Sequence, residues 1–368
     1  MPGSLKRLIK RGNRLRVLVV DDSVVIRRLV THALEQDASL ELAGTAANGA
    51  IALARIPQLN PDVLTLDIDM PEMDGLETLR QLRKTYKDIR VIMFSTLTER
   101  GATATIDALS LGADDYVTKA SNEGSLDHSL SALQRELIPK IKQFFTFESD
   151  PAGVAAAPTT RPAAARLAGP VRLTARTARP RVLAIGVSTG GPTALAQVIP
   201  HLPADYPLPV LIVQHMPPVF TRLLAERLQV ASRLKVQEAA AGMEIERGNV
   251  YIAPGDYHMR VAKRGQTAAI ALDQGPSENS CRPAVDVLFR SVEEVYGADV
   301  LSLILTGMGQ DGLRGAEVLK ARGAELIAQD EASSVVWGMP GAVVNAGLAD
   351  AVVPLEQVVP EILRRTGL

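Results

Sequence analysis

The stretch "RVLVVDDSVVIRRLVTHALEQ" (residues 16–36) places a short apolar run directly before a longer run of mixed residues. Residues 16–20 are mostly apolar, which is typical of a strand buried on both faces. In residues 24–36 apolar side chains recur every three or four positions, which predicts a helix. A buried strand followed at once by a helix predicts a βαβ unit and therefore a parallel α/β sheet.

The same alternation continues over residues 15–145. Further strand-like runs are "DVLTLDI" (62–68), "RVIMFS" (90–95) and "DDYVTK" (114–119). Helical patterns accompany them near residues 49–57, 75–84, 102–110 and 126–144. We therefore expect five βα units that form one doubly wound domain with a parallel sheet.

A change of composition separates a second region from the first. Residues 146–180 are rich in Ala, Pro, Arg and Thr and lack periodicity, which predicts a semi-extended linker. From residue 181 strand-like runs resume, and they are "RVLAIGVS" (181–188), "PVLIVQH" (209–215), "NVYIAP" (249–254) and "VLSLILTGMG" (300–309). Helical segments lie near residues 193–200, 218–231, 283–296 and 312–322. We expect a second α/β domain over residues 181–368, doubly wound with a mostly parallel sheet.

Length, charge and cysteine usage restrict the class of protein. A chain of 368 residues favours two domains. A net charge of −1 argues against a nucleic-acid binder, which would normally show a basic stripe. The single cysteine, Cys281, excludes an internal disulfide and fits a reducing cytoplasm. The basic extension 1–14 lacks an apolar signal core, and no apolar run is long enough to span a membrane, so we expect a cytoplasmic protein.

Acidic residues gather at the predicted strand ends of the first domain. Asp21 and Asp22 follow the first strand, and Asp67 ends the third. Because carboxyl ends of parallel strands meet at one edge, the three carboxylates should converge and hold Mg²⁺. One of them could accept a phosphoryl group, whose oxygens Ser95 and Lys119 could bind. The alternative for Asp21 alone is a helix N-cap.

The motifs "VLVVDDS", "PDVLTLDIDMPEMDGLETL" and "LGADDYVTK" resemble a two-component receiver domain, from residue 16 to about residue 140. The resemblance implies phosphorylation of Asp67, with Mg²⁺ held at that site by Asp21, Asp22 and the main-chain carbonyl of Asp69. It also implies a switch pair and a phosphate contact, which are Ser95 with Tyr116, and Lys119. Receivers usually carry a cis proline after this lysine, whereas this chain has Ala120. A cis bond before a residue other than proline costs about 2.5–4 kcal/mol, which leaves the conformation of this loop open.

The stretch "AIGVSTGGP" (184–192) raises a separate possibility in the second domain. Ser188 follows a buried strand, two glycines permit close approach, and Pro192 suits the first turn of a helix. The free N–H groups of that turn favour a developing negative charge, so Ser188 could be a nucleophile beside an oxyanion site. The alternative is a serine N-cap with a glycine-rich turn.

Two further residues at strand ends could complete a catalytic triad. His215 ends the strand "VLIVQH", and Asp311 follows the strand in "LILTGMGQDG". Each has a structural alternative, a capping histidine or an aspartate that caps helix 312–322, and His258 is another possible base. Their joint placement with Ser188 favours the triad. The segment "GVSTG" matches the α/β-hydrolase motif, but the order Ser, His, Asp differs from the order Ser, acid, His of that fold.

The second region resembles the catalytic domain of chemotaxis protein-glutamate methylesterases, the CheB family. The matching motifs, over nearly all of residues 181–350, are "IGVSTGGPTAL", "VQHMP", "YIAPGDYHM", "CRPAVDVLF", "TGMGQDGLRGA" and "QDEASSVVWGMPGA". The resemblance implies Ser188 as nucleophile, His215 as base and then acid, and Asp311 as its orienting partner. It also implies an oxyanion donor in the amide of Met308, and a substrate-facing loop 276–283 that includes Arg282. Arg282 could equally be a surface ion-pair partner.

The resemblance implies hydrolysis of glutamate methyl esters, and deamidation of glutamines, on cytoplasmic helices of methyl-accepting chemoreceptors. A chemotaxis histidine kinase would be the phosphodonor, and the catalytic domain would need no cofactor. We expect the unphosphorylated receiver to cover the triad and phosphorylation to loosen that contact. The alternatives are a docking module with an inert triad, a DNA-binding regulator and a generic serine esterase.

Overall fold

The computed structural model describes residues 7–9, 13–119, 126–148 and 179–368. We call residues 7–148 the N-terminal unit and residues 179–368 the C-terminal unit. The prediction for Ala120 and most of the predicted linker lie outside the described residues.

The N-terminal unit begins with a short strand, β1 (Arg7–Ile9). The remaining strands are β2 (Leu15–Val20), β3 (Leu40–Ala46), β4 (Val63–Asp67), β5 (Arg90–Ser95), β6 (Asp115–Thr118) and β7 (Phe145–Phe147). Its helices are α1 (Val24–Glu35), α2 (Gly49–Leu59), α3 (Gly75–Thr85), α4 (Glu99–Ser110) and α5 (Leu126–Lys142). Strands β2 to β6 form a five-stranded sheet in the order β3-β2-β4-β5-β6, and every pair in it is parallel.

This sheet confirms the predicted (βα)5 arrangement. The order places β2 at the point where the winding direction reverses, with β3 on one side and β4 on the other. Ligands of open α/β sheets bind at such a point, beyond the carboxyl ends of the strands. Part of the N-terminal extension forms β1, which pairs in parallel with β7 just after α5.

The C-terminal unit contains nine strands. They are β8 (Val182–Val187), β9 (Val210–Gln214), β10 (Lys235–Glu238), β11 (Asn249–Ile252), β12 (His258–Arg264), β13 (Thr267–Asp273), β14 (Val300–Ile304), β15 (Glu325–Gln329) and β16 (Ala351–Val353). Its helices are α6 (Gly191–Val198), α7 (Phe220–Ala231), α8 (Val285–Tyr296), α9 (Leu313–Ala321), α10 (Met339–Asn345) and α11 (Leu355–Thr366).

Seven of these strands form one sheet in the order β10-β11-β9-β8-β14-β15-β16. All of its pairs are parallel, and β12 with β13 forms a separate antiparallel hairpin. The fold class is therefore as predicted. Strand β8 lies between β9 and β14, so the chain reverses its direction of winding there and opens a crevice at the end of β8.

Apolar side chains on both faces of the two sheets form the cores. Buried residues of β8, which include Leu183, Ile185 and Val187, pack in one cluster with residues of α6 and α7. The same cluster continues into the N-terminal unit through Leu109 and Tyr116. The two units therefore share apolar contacts at their interface. Within the described ranges, no helix is both long and apolar enough to cross a membrane.

Candidate active site

Ser188 lies at the crevice where the sheet of the C-terminal unit changes its winding. It follows β8 directly, and its main-chain N–H donates to the carbonyl of Thr306, 3.0 Å away, beyond the end of β14. The next helix, α6, has Gly190 as its N-cap, with a φ of 78° and no side-chain cap. The Ser188 hydroxyl therefore does not cap α6, and the glycine supplies a left-handed conformation that few other residues adopt.

His215 lies at the end of the neighbouring strand β9 and pairs with Asp311. The distance from His215 Nε2 to Asp311 Oδ2 is 2.8 Å. Because Nε2 faces the carboxylate, the ring nitrogen left to exchange a proton with a substrate or nucleophile is Nδ1. Among the described residues, no hydrogen bond joins the Ser188 hydroxyl to the His215 ring. Catalytic hydrogen bonds are often long before substrate binds, so the lack of this hydrogen bond is compatible with a role of His215 as the base.

Asp311 is almost completely buried, and its side chain is 2% exposed. Besides His215, the carboxylate accepts hydrogen bonds from four N–H groups: the main chains of Val285, Asp286 and Gly312, and the side chain of Asn279. The first two lie in the opening turn of α8, which has no side-chain cap of its own. Asp311 therefore occupies the N-terminus of α8, where the helix dipole favours a negative charge. It does not serve as the N-cap of α9, which is Gly312.

The environment sets the charge of this pair. Burial opposes the charged form of His215, but the hydrogen bond that its ring donates to Asp311, together with the neighbouring Cys281, outweighs burial and raises the pKa of His215 to about 10. Burial would raise the pKa of Asp311, yet the hydrogen bond and charge of His215 hold that pKa below its ordinary value. The structure therefore favours an imidazolium–carboxylate pair at neutral pH, and His215 must release this proton before it can act as a base.

A cavity of about 450 Å³ lies above Ser188 and His215. Met308, whose side chain is exposed, lies on its wall. A Cβ atom added to Gly307 would lie 2.8 Å from the Cβ of Ser188, so the chain before Met308 passes directly against the serine. In the part of the chain that the structure describes, the Met308 amide donates to no acceptor. It is thus available to a ligand, as an oxyanion donor would be.

The other predicted site residues of this unit have structural partners. Arg282 pairs with Asp256 at 2.5 Å and donates to the carbonyls of Gln274 and Gly275, so its guanidinium holds the loop that precedes it. His258 is buried, far less accessible than a base needs to be, and is bonded through both ring nitrogens, to the Pro276 carbonyl and the Ala284 N–H. His258, the alternative base, therefore has a structural role in this loop.

The N-terminal unit brings together the predicted acidic cluster. Carboxylate oxygens of Asp21, Asp22 and Asp67 lie within 4.8 Å of one another. Lys119 Nζ lies 3.0 Å from Asp21 Oδ2 and 2.7 Å from Asp67 Oδ2. Burial raises the pKa of Asp67 to about 6, the Lys119 hydrogen bond opposes this rise, and the Asp21 charge adds to it. The helix N-cap here is Ser23, whose hydroxyl accepts from the Ile26 N–H.

The donor set of this cluster fits Mg²⁺. Three carboxylates supply hard oxygen ligands, and Asp22 is open to solvent, as an ion that retains several waters requires. The Asp69 carboxylate lies apart from the cluster and faces Arg100 at 3.6 Å. The predicted ligand of Asp69 is its main-chain carbonyl, and this stays a prediction.

The predicted switch residues connect this cluster with the C-terminal unit. Ser95 is buried at the end of β5, and its hydroxyl lies 2.6 Å from Thr105 Oγ1 and 3.1 Å from the Gly101 carbonyl, both in α4. The Tyr116 ring stacks on Phe220 at the start of α7, with 5.0 Å between ring centroids.

The N-terminal unit also contacts Thr189, the residue after Ser188. Thr189 Oγ1 donates to Asp115 Oδ2 at 3.1 Å, and Gln143 Nε2 donates to the same oxygen at 2.9 Å. The cavity above Ser188 is bounded on this side by residues of β6 and α5, among them Tyr116, Arg135, Glu136 and Lys140. The two units therefore enclose the candidate active site between them.

Comparison with known proteins places both units. The model of the family described as CheB methylesterase matches residues 183–362, and the response regulator receiver domain matches residues 17–131. A protein-glutamate methylesterase/protein-glutamine glutaminase of Trichodesmium erythraeum (strain IMS101) is 48% identical, over 96% of this chain and 99% of that protein. The chain belongs to the CheB methylesterase family. It is a hydrolase with a receiver domain, as the sequence motifs predict.

Two further CheB relatives agree with this assignment. One of the same description from Nocardioides sp. (strain ATCC BAA-499 / JS614) is 51% identical over 95% of both chains. The crystal structure of the Thermotoga maritima CheB methylesterase catalytic domain is 42% identical, with a TM-score of 0.50, over 50% of this chain and 98% of that one.

Sequence reasoning missed several groups around the CheB-type site. Gln214, beside His215, is buried, and its side-chain N–H donates to the main-chain carbonyls of Ser188 and His215 at 3.0 and 3.3 Å. Cys281 of loop 276–283 lines the same cavity as His215 and contributes to its raised pKa, and Asn279 in the same loop reaches Asp311. Of these groups, only the loop 276–283 was singled out from the sequence. It leads into α8, whose N-terminus lies at Asp311.

Proposed function

We propose that the protein hydrolyses glutamate methyl esters on methyl-accepting chemoreceptors through a Ser188–His215–Asp311 triad. The observation that carries this proposal is the 2.8 Å pair of His215 with the buried Asp311, at the same sheet edge as Ser188. A generic serine esterase is the nearest alternative. The family, whose members are protein-glutamate methylesterases and glutaminases, favours the receptor ester and glutamine deamidation as a second activity.

In the proposed reaction, His215 Nδ1 accepts the Ser188 hydroxyl proton while the oxygen attacks the ester carbonyl. The carbonyl oxygen becomes an oxyanion and accepts a hydrogen bond from the Met308 amide. When the intermediate collapses, His215 returns its proton to the methoxide, and methanol leaves an acyl-enzyme on Ser188. Water, deprotonated by His215, then releases the glutamate carboxylate. Asp311 stays ionised throughout and holds the imidazole ring in one orientation.

We further propose that phosphorylation of Asp67 uncovers the site. Mg²⁺, held by Asp21, Asp22, Asp67 and the main chain of Asp69, would neutralise charge on the incoming phosphoryl group. Lys119 lies close enough to contact that group. The Ser95 hydroxyl would turn to it and leave its bonds to α4, and α4 packs against α7. Loss of these hydrogen bonds and of the Tyr116–Phe220 stack would favour separation of the two units.

The partners follow from this chemistry. A chemotaxis histidine kinase would supply the phosphoryl group, and the substrate would be the cytoplasmic helices of a chemoreceptor, so the protein would act in the cytoplasm. We propose that the receiver spans residues 15–145, the linker residues 146–180 and the hydrolase residues 181–368. Arg282 is proposed to act in this site only by holding the loop 276–283.

The test is methanol release from a methylated receptor fragment, with and without acetyl phosphate and Mg²⁺. We expect release that the phosphodonor increases, and no release by Ser188→Ala, because this change removes the nucleophile and leaves its main-chain contacts. Substantial release by a folded Ser188→Ala variant would overturn the triad. Release that ignores the phosphodonor would overturn the regulatory part alone.

A further inference from the structure

Residues Glu278–Cys281 form a tight two-residue turn beside the triad. The Glu278 N–H donates to the Cys281 carbonyl at 3.1 Å, and the Cys281 N–H donates to the Glu278 carbonyl at 2.8 Å. The central residues, Asn279 and Ser280, have φ values of 51° and 62°. Positive φ at both central positions is the hairpin turn geometry that asparagine and glycine tolerate best.

Both flanks of this turn are fixed to the rest of the C-terminal unit. On one side Glu278 pairs with Arg290 of α8 at 2.5 Å. His258 spans the loop, since its Nε2–H donates to the Pro276 carbonyl and its Nδ1 accepts from the Ala284 N–H. The tip of the turn is thus held in place, although Asn279 itself is exposed on the wall of the cavity.

The Asn279 side chain reaches two buried carboxylates at once. Its Nδ2 lies 2.8 Å from Asp311 Oδ1 and 3.0 Å from Asp286 Oδ2. Two carboxylate acceptors fix which end of the amide faces them, and both hydrogens of the nitrogen are used. Asp286 otherwise accepts from the Gly315 N–H at 2.7 Å. The amide is therefore a neutral donor between two acids that would otherwise repel each other.

We infer that Asn279 is a positioning residue of the hydrolysis: its amide fixes the carboxylate of Asp311 against His215 and separates it from Asp286. The inference rests on the proposed function. Of the donors to Asp311, four are main-chain groups or His215 itself, so within the described part of the chain Asn279 is the only other side chain that holds the carboxylate. Its hydrogen bond also draws part of the negative charge of Asp311 away from His215. Loss of the amide should disturb both the geometry and the proton affinity of the base.

The test compares Asn279→Gly with Ser280→Gly in the full chain, with acetyl phosphate and Mg²⁺ present. Glycine accepts the positive φ at either position, so both variants keep the turn. Only Asn279→Gly removes the amide. We expect kcat to fall about 10–100-fold with KM nearly unchanged, because a small displacement of a catalytic group costs up to about 10² in rate. Ser280→Gly, which keeps the Asn279 amide, should lose clearly less kcat than Asn279→Gly.

The pH profile distinguishes positioning from a merely structural role. Without the amide, more of the charge of Asp311 acts on His215, which then keeps its proton to higher pH. The acid limb of kcat/KM should therefore move upward in Asn279→Gly. Both variants retain the other charged or ionisable residues around His215 and Asp311, which are Cys281, Asp286, Asp115, Arg135, Glu136 and Lys140. Of these, Asp286 also loses the hydrogen bond from the amide in Asn279→Gly.

Three results would decide the matter. An Asn279→Gly enzyme with the wild-type kcat and acid limb would overturn the inference while leaving the proposed function intact. An equal loss in Ser280→Gly would also overturn it, since the turn rather than the amide would then matter. A wild-type chain that releases no methanol would instead refute the proposed function itself.

Discussion

Gln214 joins the main chains of two residues of the proposed triad. Its side-chain N–H donates to the carbonyls of Ser188 and His215, so the ends of β8 and β9 are tied together directly below the cavity. The amide needs the space beside Gly191, where an added Cβ would lie 1.9 Å from Gln214 Oε1. The second glycine of the "STGGP" motif, Gly191, is therefore required by the side chain of Gln214, which lies more than twenty residues later in the chain.

The proton held between His215 and Asp311 predicts a pH dependence of stability. The pKa of His215 is about 10 in this structure and about 6.5 in an unfolded chain. Stabilisation by the protonated ring is complete below pH ~6.5 and is lost as the pH rises through 10. The free energy of unfolding should fall in this window by at most about 1.4 kcal/mol per pH unit from this one group.

Urea unfolding of the unphosphorylated chain at several pH values measures this effect. His215→Gln is the matched control, because it removes the titrating group and leaves the other ionisable groups in place. The wild type should lose stability relative to His215→Gln between pH 6.5 and 10. Parallel curves for the two proteins would show that the ring is neutral in the folded state.

In the described part of the chain, α4 of the N-terminal unit and α7 of the C-terminal unit form the most extensive helix–helix contact between the two units. Arg222 of α7 pairs with Glu99 of α4 at 2.9 Å, and Arg227 pairs with Asp107. All four side chains are more than two-fifths exposed. Exposed pairs of this kind contribute about 0.2–1 kcal/mol each, so they adjust the contact between the helices without dominating it.

Reversing one charge of the Arg227–Asp107 pair should change the methanol release of the unphosphorylated chain, and reversing both charges should restore it. Arg227→Asp places two acids together at the interface and should raise methanol release by the unphosphorylated chain, at most about fivefold for 1 kcal/mol. Asp107→Arg should act in the same direction. The double variant restores opposite charges and should return release to the wild-type level. Single variants with wild-type basal release would show that α4 and α7 stay apart from the regulatory step.

The elements that carry the site were predictable because their chemistry lies at strand ends. Buried strands ending at Ser188, His215 and before Asp311 are visible as apolar runs, and parallel pairing brings their ends together. Asn279 was not predictable, because its reach depends on two positive φ values in a loop without periodicity. The pairing of Thr189 with Asp115 was not predictable either, since it exists only once two separately folded units meet.

Other elements escaped prediction for a simpler reason. Strand β3 has intermediate exposure along most of its length, and the edge strand β16 has only three residues, so neither forms a clear apolar run. The hairpin of β12 and β13 carries charged residues at its exposed end. Each is an edge or a surface feature, where packing demands little of the sequence.

At the scale of the whole molecule, the N-terminal unit acts as a cover over the cavity. If this cover is inhibitory, the fragment 181–368 should release methanol faster than the unphosphorylated full chain. It should not respond to acetyl phosphate, because Asp67 is absent from it. A solved CheB catalytic domain of this extent supports the choice of fragment. A fragment no faster than the intact unphosphorylated protein would rule out inhibition by the cover.

Asp311 has a second duty that bears on how relatives of this protein diverge. Because its carboxylate also accepts from the first N–H groups of α8, a descendant that abandoned ester hydrolysis would be free to lose Ser188 and His215 but would still gain from an acid here. Retention of this aspartate in a distant relative would thus be evidence of shared architecture, whereas under the proposed function the serine and histidine are the positions that would distinguish working enzymes from inactive descendants.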